Sequence, residues 1–401
     1  MGIKLLMLVH LSLVTISNEG FLEREYAVIL FQADLEICRG YVPGYCGVLG
    51  HEFVGVVVAF GPDIEQPRPS ISTNPAEELS SSNSKGNGIT ERLAVGTRVV
   101  GEINCNDLHF TCGDAVYQRN HAPGRSVLGI INRDGALAEY LTLPAANLHP
   151  VPPQLAEAEA VFAEPLAAAC RILEQGLPAR PQSDRVAVIG DGKLGLLVGQ
   201  VLVRHVAAAG GPRVTLIGRH AAKMALVQGD AERLVSEGDG TALAERLAGQ
   251  FDLVVEASGS AGGIRTALAL CRPMGTVLLK STVSTNEQRQ EPQLQQQQRE
   301  DDEEQLHNGG CRGDKSGASP GPRAPGWAEL ANDIVVNEKV LVGSRCGPFD
   351  KALELMASDA GVRQLLRSMI SAELPLERGE EALELARTKG VLKVQLVMPQ
   401  K

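Results

Sequence analysis

Gly50-His51-Glu52-Phe53-Val54-Gly55 sets an imidazole beside a carboxylate on a backbone that glycine allows to turn sharply. Both side chains bind metals. Zinc accepts nitrogen and oxygen donors, and a catalytic zinc keeps one position open for water or substrate. A further carboxylate, Glu164, stands in Ala163-Glu164-Pro165-Leu166. Pro165 suits the first turn of a helix, which places Glu164 at the helix start, where it can serve as a cap or as a ligand. The chemistry these residues suggest is metal-assisted polarisation of a substrate oxygen.

Gly190-Asp191-Gly192-Lys193-Leu194-Gly195 is a G-x-G-x-x-G sequence. It follows an apolar run, Arg185 to Ile189, and opens a helical pattern, Lys193 to Val206, and that context gives the motif its meaning. Gly190 permits a tight turn, Gly192 lets a pyrophosphate approach the backbone, and Gly195 allows the helix to pack on the strand. The helix N-terminus supplies unpaired N–H groups and the positive end of the dipole. A site for NAD places Asp or Glu at the end of the next strand to bind the ribose hydroxyls. After Ile217 this chain has Gly218, Arg219, His220 and, a turn later, Lys223, with no acid from Leu216 to Gly229. Arg219 can hydrogen-bond a 2′-phosphate and Lys223 adds charge, so NADP is the expected cofactor and NAD the alternative.

These residues need a scaffold. Val214–Ile217, Phe251–Ala257, Gly275–Leu279 and Lys339–Val342 are short apolar runs that alternate with helical stretches. That pattern predicts α/β architecture with a doubly wound parallel sheet. Before residue 150, Val-rich runs with many glycines, such as Glu52–Phe60 and Leu93–Val100, predict an antiparallel β-domain. A helix over Leu376–Thr388 and a strand over Val391–Val397 close the chain. Residues 66–91 and 285–325 are rich in polar, Pro and Gly residues and cannot bury enough apolar surface to order themselves, so both are expected to be disordered insertions.

A chain of 401 residues can hold two cores. Its net charge of −10 disfavours broad nucleic-acid binding, and no apolar run has the length of a membrane span. The eight cysteines are scattered, which fits a reducing, cytoplasmic setting. The apolar run Leu5–Val14 has the length of a signal core, but no small-residue cleavage site follows clearly; a buried strand is the plainer reading.

Together these motifs resemble the zinc-type medium-chain dehydrogenase/reductase (alcohol dehydrogenase) superfamily. The pattern G-H-E-x2-G-x5-G-x2-V/I is met by Gly50, His51, Glu52, Gly55, Gly61 and Ile64. Val161–Leu166, Val254-Val-Glu-Ala-Ser-Gly259 and Gly390-Val-Leu-Lys393 are also family-like, and the resemblance runs from about Asp34 to the C-terminus outside the two insertions. It implies a GroES-like β-domain over residues 1–160, a Rossmann domain over 161–345 and a C-terminal return, 346–401, to the first domain. It implies His51 as a zinc ligand, Glu52 and Glu164 as ligands or supports, and Asp34 as a carboxylate behind the site. Ser258 and Lys393 would meet the cofactor, Lys393 at its phosphates. The implied reaction is hydride transfer between a small alcohol or aldehyde and the nicotinamide, in a homo-oligomer.

The chain also departs from the family. A C-x-T/S-D motif is replaced by Phe31-Gln32-Ala33-Asp34, so a ligating thiolate and a proton-relaying hydroxyl are both missing. The first 31 residues are atypical. Cys46, five residues before His51, is a thiol to be weighed as a replacement, with an idle thiol the plainer reading. The family's four-cysteine lobe is reduced to Cys105, His109, Cys112 and His121 at other spacings, and no structural zinc is expected there. Two further readings follow: a zinc-free, NADPH-dependent quinone or enone reductase, and an NADPH-binding protein without turnover.

Overall fold

The computed structural model describes residues 6–10, 27–30, 32–38, 42, 45–60, 93–106, 111–238, 240–283 and 326–397. The calls on Phe31, Gly61, Ile64 and His109, and on insertions 66–91 and 285–325, lie outside them. The chain forms two compact units. One comprises residues 1–176, 226–229 and 345–401; the other comprises 177–225 and 230–344.

The first unit begins with strands β1 (Leu6–His10), β2 (Ala27–Leu30), β3 (Glu52–Phe60), β4 (Arg98–Gly101), β5 (Asn104–Cys105), β6 (Ser126–Val127), β7 (Tyr140–Pro144) and β8 (Leu148–Pro150). The second holds β9 (Val186–Ile189), β10 (Val214–Gly218), β11 (Ala231–Val235), β12 (Phe251–Glu256), β13 (Cys271–Leu279) and β14 (Val340–Gly343). The chain then returns to the first unit with β15 (Ile370–Pro375) and β16 (Lys393–Val397).

In the first unit, β15, β16, β2, β3, β1 and β7 lie side by side, and β4 joins β3 to β8. All these pairings are antiparallel except β15 with β16. The atypical first 31 residues therefore still supply two strands, because Leu-Met-Leu-Val-His and Ala-Val-Ile-Leu are apolar, strand-forming runs. Val28, Phe53, Val57, Val99, Leu141 and Leu143 form the core against β3. The expected run Leu93–Val100 shortens to β4, because residues 95 and 96 turn, with Gly96 at φ +92°. The closing helix is also shorter than expected: a 3₁₀ turn at Leu376–Arg378 precedes the helix Gly379–Ala386.

The second unit is a six-stranded sheet, β11-β10-β9-β12-β13-β14, parallel throughout. Counted from β9, this is the order 3-2-1-4-5-6 of a Rossmann sheet, which reverses direction beside its first strand. The central strands read as unbroken apolar runs because both faces are covered: β9 is buried at every position and β12 at nearly every one. Helix Lys193–Ala208 covers this sheet with Leu197, Val198, Val201 and Leu202 buried. Edge strand β11 is instead largely exposed, with Ala231 its buried residue.

The backbone before β3 is clamped by a second segment. N–H groups of Gly135, Ala136 and Leu137 donate to the carbonyls of Val48 (2.7 Å), Gly50 (2.8 Å) and Leu49 (2.9 Å). Gly135 permits this approach: a Cβ there would lie 2.3 Å from the Gly50 carbonyl oxygen and 2.4 Å from that of Leu49. Gly135→Ala is therefore expected to force the two segments apart and lower stability by about 2 kcal/mol, as overpacking does. Denaturant unfolding checks this, and an unchanged midpoint would remove the steric role assigned to Gly135.

Candidate metal and cofactor sites

Gly50 adopts φ +92°, a left-handed conformation that suits glycine. The chain then enters β3 with His51 and Glu52 both buried. Glu164 lies in the first turn of helix Ala163–Glu174, which begins two residues earlier than a cap role would require; the capping position is Phe162 and it provides no side-chain bond. His51, Glu52 and Glu164 each bring one ligand atom within 4.8 Å of the others, and all three are buried. Among the described residues this is the cluster able to hold a metal ion.

Asp34 stands behind it. Its Oδ1 accepts the Gly50 N–H at 3.0 Å and lies 3.5 Å from His51 Nδ1. Burial opposes a charge on His51, but the carboxylates of Asp34, Glu164 and Glu52 outweigh it and raise its pKa to about 9. Cys46 is exposed and no member of the cluster. Of the residues considered for a second metal, Cys105 is buried and its thiol faces the Ile103 carbonyl, while Cys112 is exposed.

Lys393 has a partner that sequence reasoning did not give it. The resemblance assigns it to cofactor phosphates; the structure places it in the first unit with its Nζ 2.6 Å from Glu52 Oε2, neither side chain exposed. The ammonium also lies over the Phe162 ring at 5.9 Å. The other Glu52 oxygen, Oε1, is buried without a hydrogen-bond partner.

The second unit carries the glycine loop. Gly190, at the end of β9, adopts φ +115°, and a Cβ on Gly195 would sit 2.1 Å from the Gly190 carbonyl oxygen. Gly192 caps the helix, with open space where its Cβ would be. A backbone cradle before a helix N-terminus is the form a pyrophosphate needs. Leu194 is only partly buried in the first turn. Arg219 and Lys223 follow β10, Arg219 exposed and Lys223 half-buried. Ser258 follows β12: its N–H donates to Glu256 Oε1 at 2.7 Å, and its hydroxyl donates to the same oxygen. Burial raises the Glu256 pKa, against hydrogen bonds from Ser258 and Gly259.

Sequence reasoning missed two participants, Glu256 and Asp191, and the Glu52 partner of Lys393. Glu256 lay inside a motif noted only for its likeness. Asp191, within the glycine loop, turns out to reach the end of β10, where His220 holds it: the His220 N–H and Nδ1 lie 2.5 and 2.9 Å from Asp191 Oδ2.

The chain thus comprises a β-unit that buries a His–Glu–Glu cluster and a Rossmann unit with an open glycine cradle. Residues 24–153 match the alcohol dehydrogenase GroES-like domain. The chain is 32% identical over 172 residues to the starvation-sensing protein RspB of Escherichia coli, covering 42% of each chain. It is 30% identical over 241 residues to L-threonine 3-dehydrogenase of Coxiella burnetii, covering 57% of this chain and 58% of that one. The matches thus span about two fifths to three fifths of these relatives. Similar solved structures include a protein described as a zinc-binding dehydrogenase from Sinorhizobium meliloti, bound to NADP (TM-score 0.64, 23% identity, 98% of this chain and 99% of that one). Alcohol dehydrogenase TADH from Thermus sp. ATN1 is another (TM-score 0.62, 24% identity, 98% and 100%). At these identities the structures establish the fold. The domain match and these relatives support the resemblance to the zinc-type medium-chain dehydrogenase/reductase superfamily.

Removing one partner of a buried ion pair leaves an uncompensated charge and costs about 3–5 kcal/mol. Lys393→Met is expected to destabilise the chain on that scale, and Glu52→Gln in the same background to recover much of the loss. Urea unfolding of the two variants measures this. Equal destabilisation in the single and double variants would show that Lys393 acts by packing alone.

Proposed function

We propose that this chain is an NADP-dependent oxidoreductase that transfers hydride between an alcohol or polyol and its carbonyl, with one zinc ion held by His51, Glu52 and Glu164. The buried cluster of those three side chains carries the reading, because an imidazole and two carboxylates are donors that zinc accepts. The backbone cradle of Gly190, Gly192 and Gly195 supports the dinucleotide, and Arg219 with Lys223 supports its 2′-phosphate. When bound, zinc supplies Lewis-acid polarisation of the substrate oxygen.

The residues have separable tasks. Asp34 faces His51 Nδ1, so Nε2 is the nitrogen that the ring would offer an ion. Asp34 also holds the Gly50 N–H and so sets the direction in which the backbone delivers His51. Lys393 fixes Glu52 through one oxygen and leaves Oε1 for another partner. Glu256 fixes Ser258, and with it the loop after β12. Leu194 and Gly195 start the helix whose N–H groups would face the phosphates.

One observation favours a second reading. Glu52 already holds an ammonium at 2.6 Å, which satisfies part of its charge without a metal. A zinc-free reductase of quinones or enones using NADPH would keep that pair and need no ion.

Elemental analysis with a coupled assay separates the two readings. About one zinc per chain and reduction of NADP that depends on added alcohol are expected. His51→Ala should abolish metal retention and lower alcohol oxidation by roughly a hundredfold or more, as loss of a metal ligand does. NADPH binding should persist in that variant, since the glycine loop belongs to the other unit. A metal-free chain that reduces quinones would establish the second reading.

The chain is also proposed to form a homo-oligomer through the edge of the second unit's sheet. Strand β14 pairs only with β13 among the described strands. Val340 and Leu341 on it are exposed, as are Trp327, Val335 and Val336 on the preceding helix Trp327–Val336. A contiguous apolar edge of this kind is a place for strand addition or helix packing. Replacing Val336 and Val340 with glutamate is expected to yield monomers in light scattering after gel filtration; an unchanged mass would place the contact elsewhere. The described residues contain no helix long and apolar enough to cross a membrane.

A further inference from the structure

The end of β10 is the place where a Rossmann site reads the adenosine ribose, and here it holds Gly218. The position takes a side chain only if Asp191 shifts. A Cβ on Gly218 would lie 2.6 Å from Asp191 Cβ, 2.8 Å from its Cγ and 2.9 Å from its Oδ2. The space that a strand-end acid would fill is thus filled from the opposite side, by an acid carried on the glycine loop. The strand lacks an acid; the site does not.

That acid is not left as a bare charge. His220 reaches it twice, by its backbone N–H at 2.5 Å and by its ring Nδ1 at 2.9 Å, both to Oδ2. A carboxylate oxygen only accepts, so the Nδ1 facing it carries its hydrogen. Asp191 is mostly buried and His220 half-exposed. Between Gly218 and His220 stands the exposed guanidinium of Arg219.

The two charges would have opposite effects on the two dinucleotides. A carboxylate accepts a hydrogen bond from the 2′-hydroxyl of NAD and repels the 2′-phosphate of NADP; a guanidinium does the reverse. Which one prevails depends on how far the anion of Asp191 is taken up by other donors. We infer that Asp191 and His220 form a specificity-determining pair, in which the His220 clasp occupies the Asp191 carboxylate and leaves Arg219 to receive a 2′-phosphate. Without the clasp, Asp191 draws Arg219 to itself and accepts the ribose hydroxyl, so the site turns toward NAD. This inference rests on the dinucleotide reading of the glycine loop and adds a residue pair to it. It also accounts for a sequence in which an acid and a base both mark the same subsite.

The test is calorimetric titration of NADPH and of NADH into the full chain, wild type and variants, with no substrate present. His220→Ala is expected to lower the preference for NADPH over NADH roughly tenfold, the scale of one hydrogen bond to a charged group. Adding Asp191→Asn to that variant should restore the preference, because the anion that His220 restrained is then gone. Asp191→Asn alone should keep or strengthen it. A ratio unmoved within twofold by His220→Ala, or not restored in the double variant, overturns the inference while leaving the dinucleotide site standing. A wild-type chain that binds neither dinucleotide overturns the site reading and this inference with it.

Discussion

The first unit is organised around buried charge. Asp34, Glu52 and Glu164 bring three carboxylates to one place, and His51 and Lys393 bring the basic groups that meet them. Charges taken out of water must be paired or neutralised, or the fold loses more than it gains. The consequences run through the backbone. Asp34 spends a lone pair on the Gly50 N–H, Gly50 turns the chain into β3, and β3 is held by the segment at Val48–Gly50 and Gly135–Leu137. Lys393 is the first residue of β16, so the C-terminal return of the chain reaches the same charges through the sheet order β16-β2-β3. Three carboxylates against one ammonium and one imidazole leave an anionic pocket, and that imbalance is what a divalent cation would complete.

The second unit solves its recognition problem with backbone rather than charge. The strand-to-helix turn at Gly190 and Gly192 follows from a positive φ and from a Gly195 too close to a carbonyl to carry a side chain. Its donors are peptide N–H groups at a helix start. Side chains enter only at the rim, where Arg219, His220 and Asp191 meet beyond β10 and where Glu256 holds Ser258 beyond β12.

Local pattern made much of this legible. Strands β3, β9, β10 and β12 and helix Lys193–Ala208 stand within a residue or two of where periodicity puts them, because each is a short apolar run or an amphipathic stretch bounded by glycine or polar residues. The metal cluster was legible as a set through the family resemblance and not through spacing, since Glu164 joins His51 and Glu52 only through the fold. The partner of Lys393 lies 341 residues away and is delivered by strand pairing, which no spacing rule encodes. Asp191 was overlooked for a related reason. A search for an acid along β10 inspects the strand, whereas the acid arrives from a loop that the strand merely passes.

The two units also differ in how they tolerate sequence change. A cradle of peptide N–H groups survives any substitution that keeps its glycines and its helix start, so the proposed dinucleotide site depends on few identities. A metal site made of side chains would depend on every ligand, and Phe31 in place of the family's thiolate offers no donor. The remaining donors, one nitrogen and two carboxylates, are harder than a set that includes sulfur, and their affinity for zinc is tied more closely to the groups behind them. That shifts weight onto Asp34 and Lys393, which hold His51 and Glu52 in place. In the proposed reading, then, the residues that position the ligands would carry as much of the metal chemistry as the ligands do, and the buried Glu52–Lys393 pair is the contact through which the last strand of the protein would take part in it.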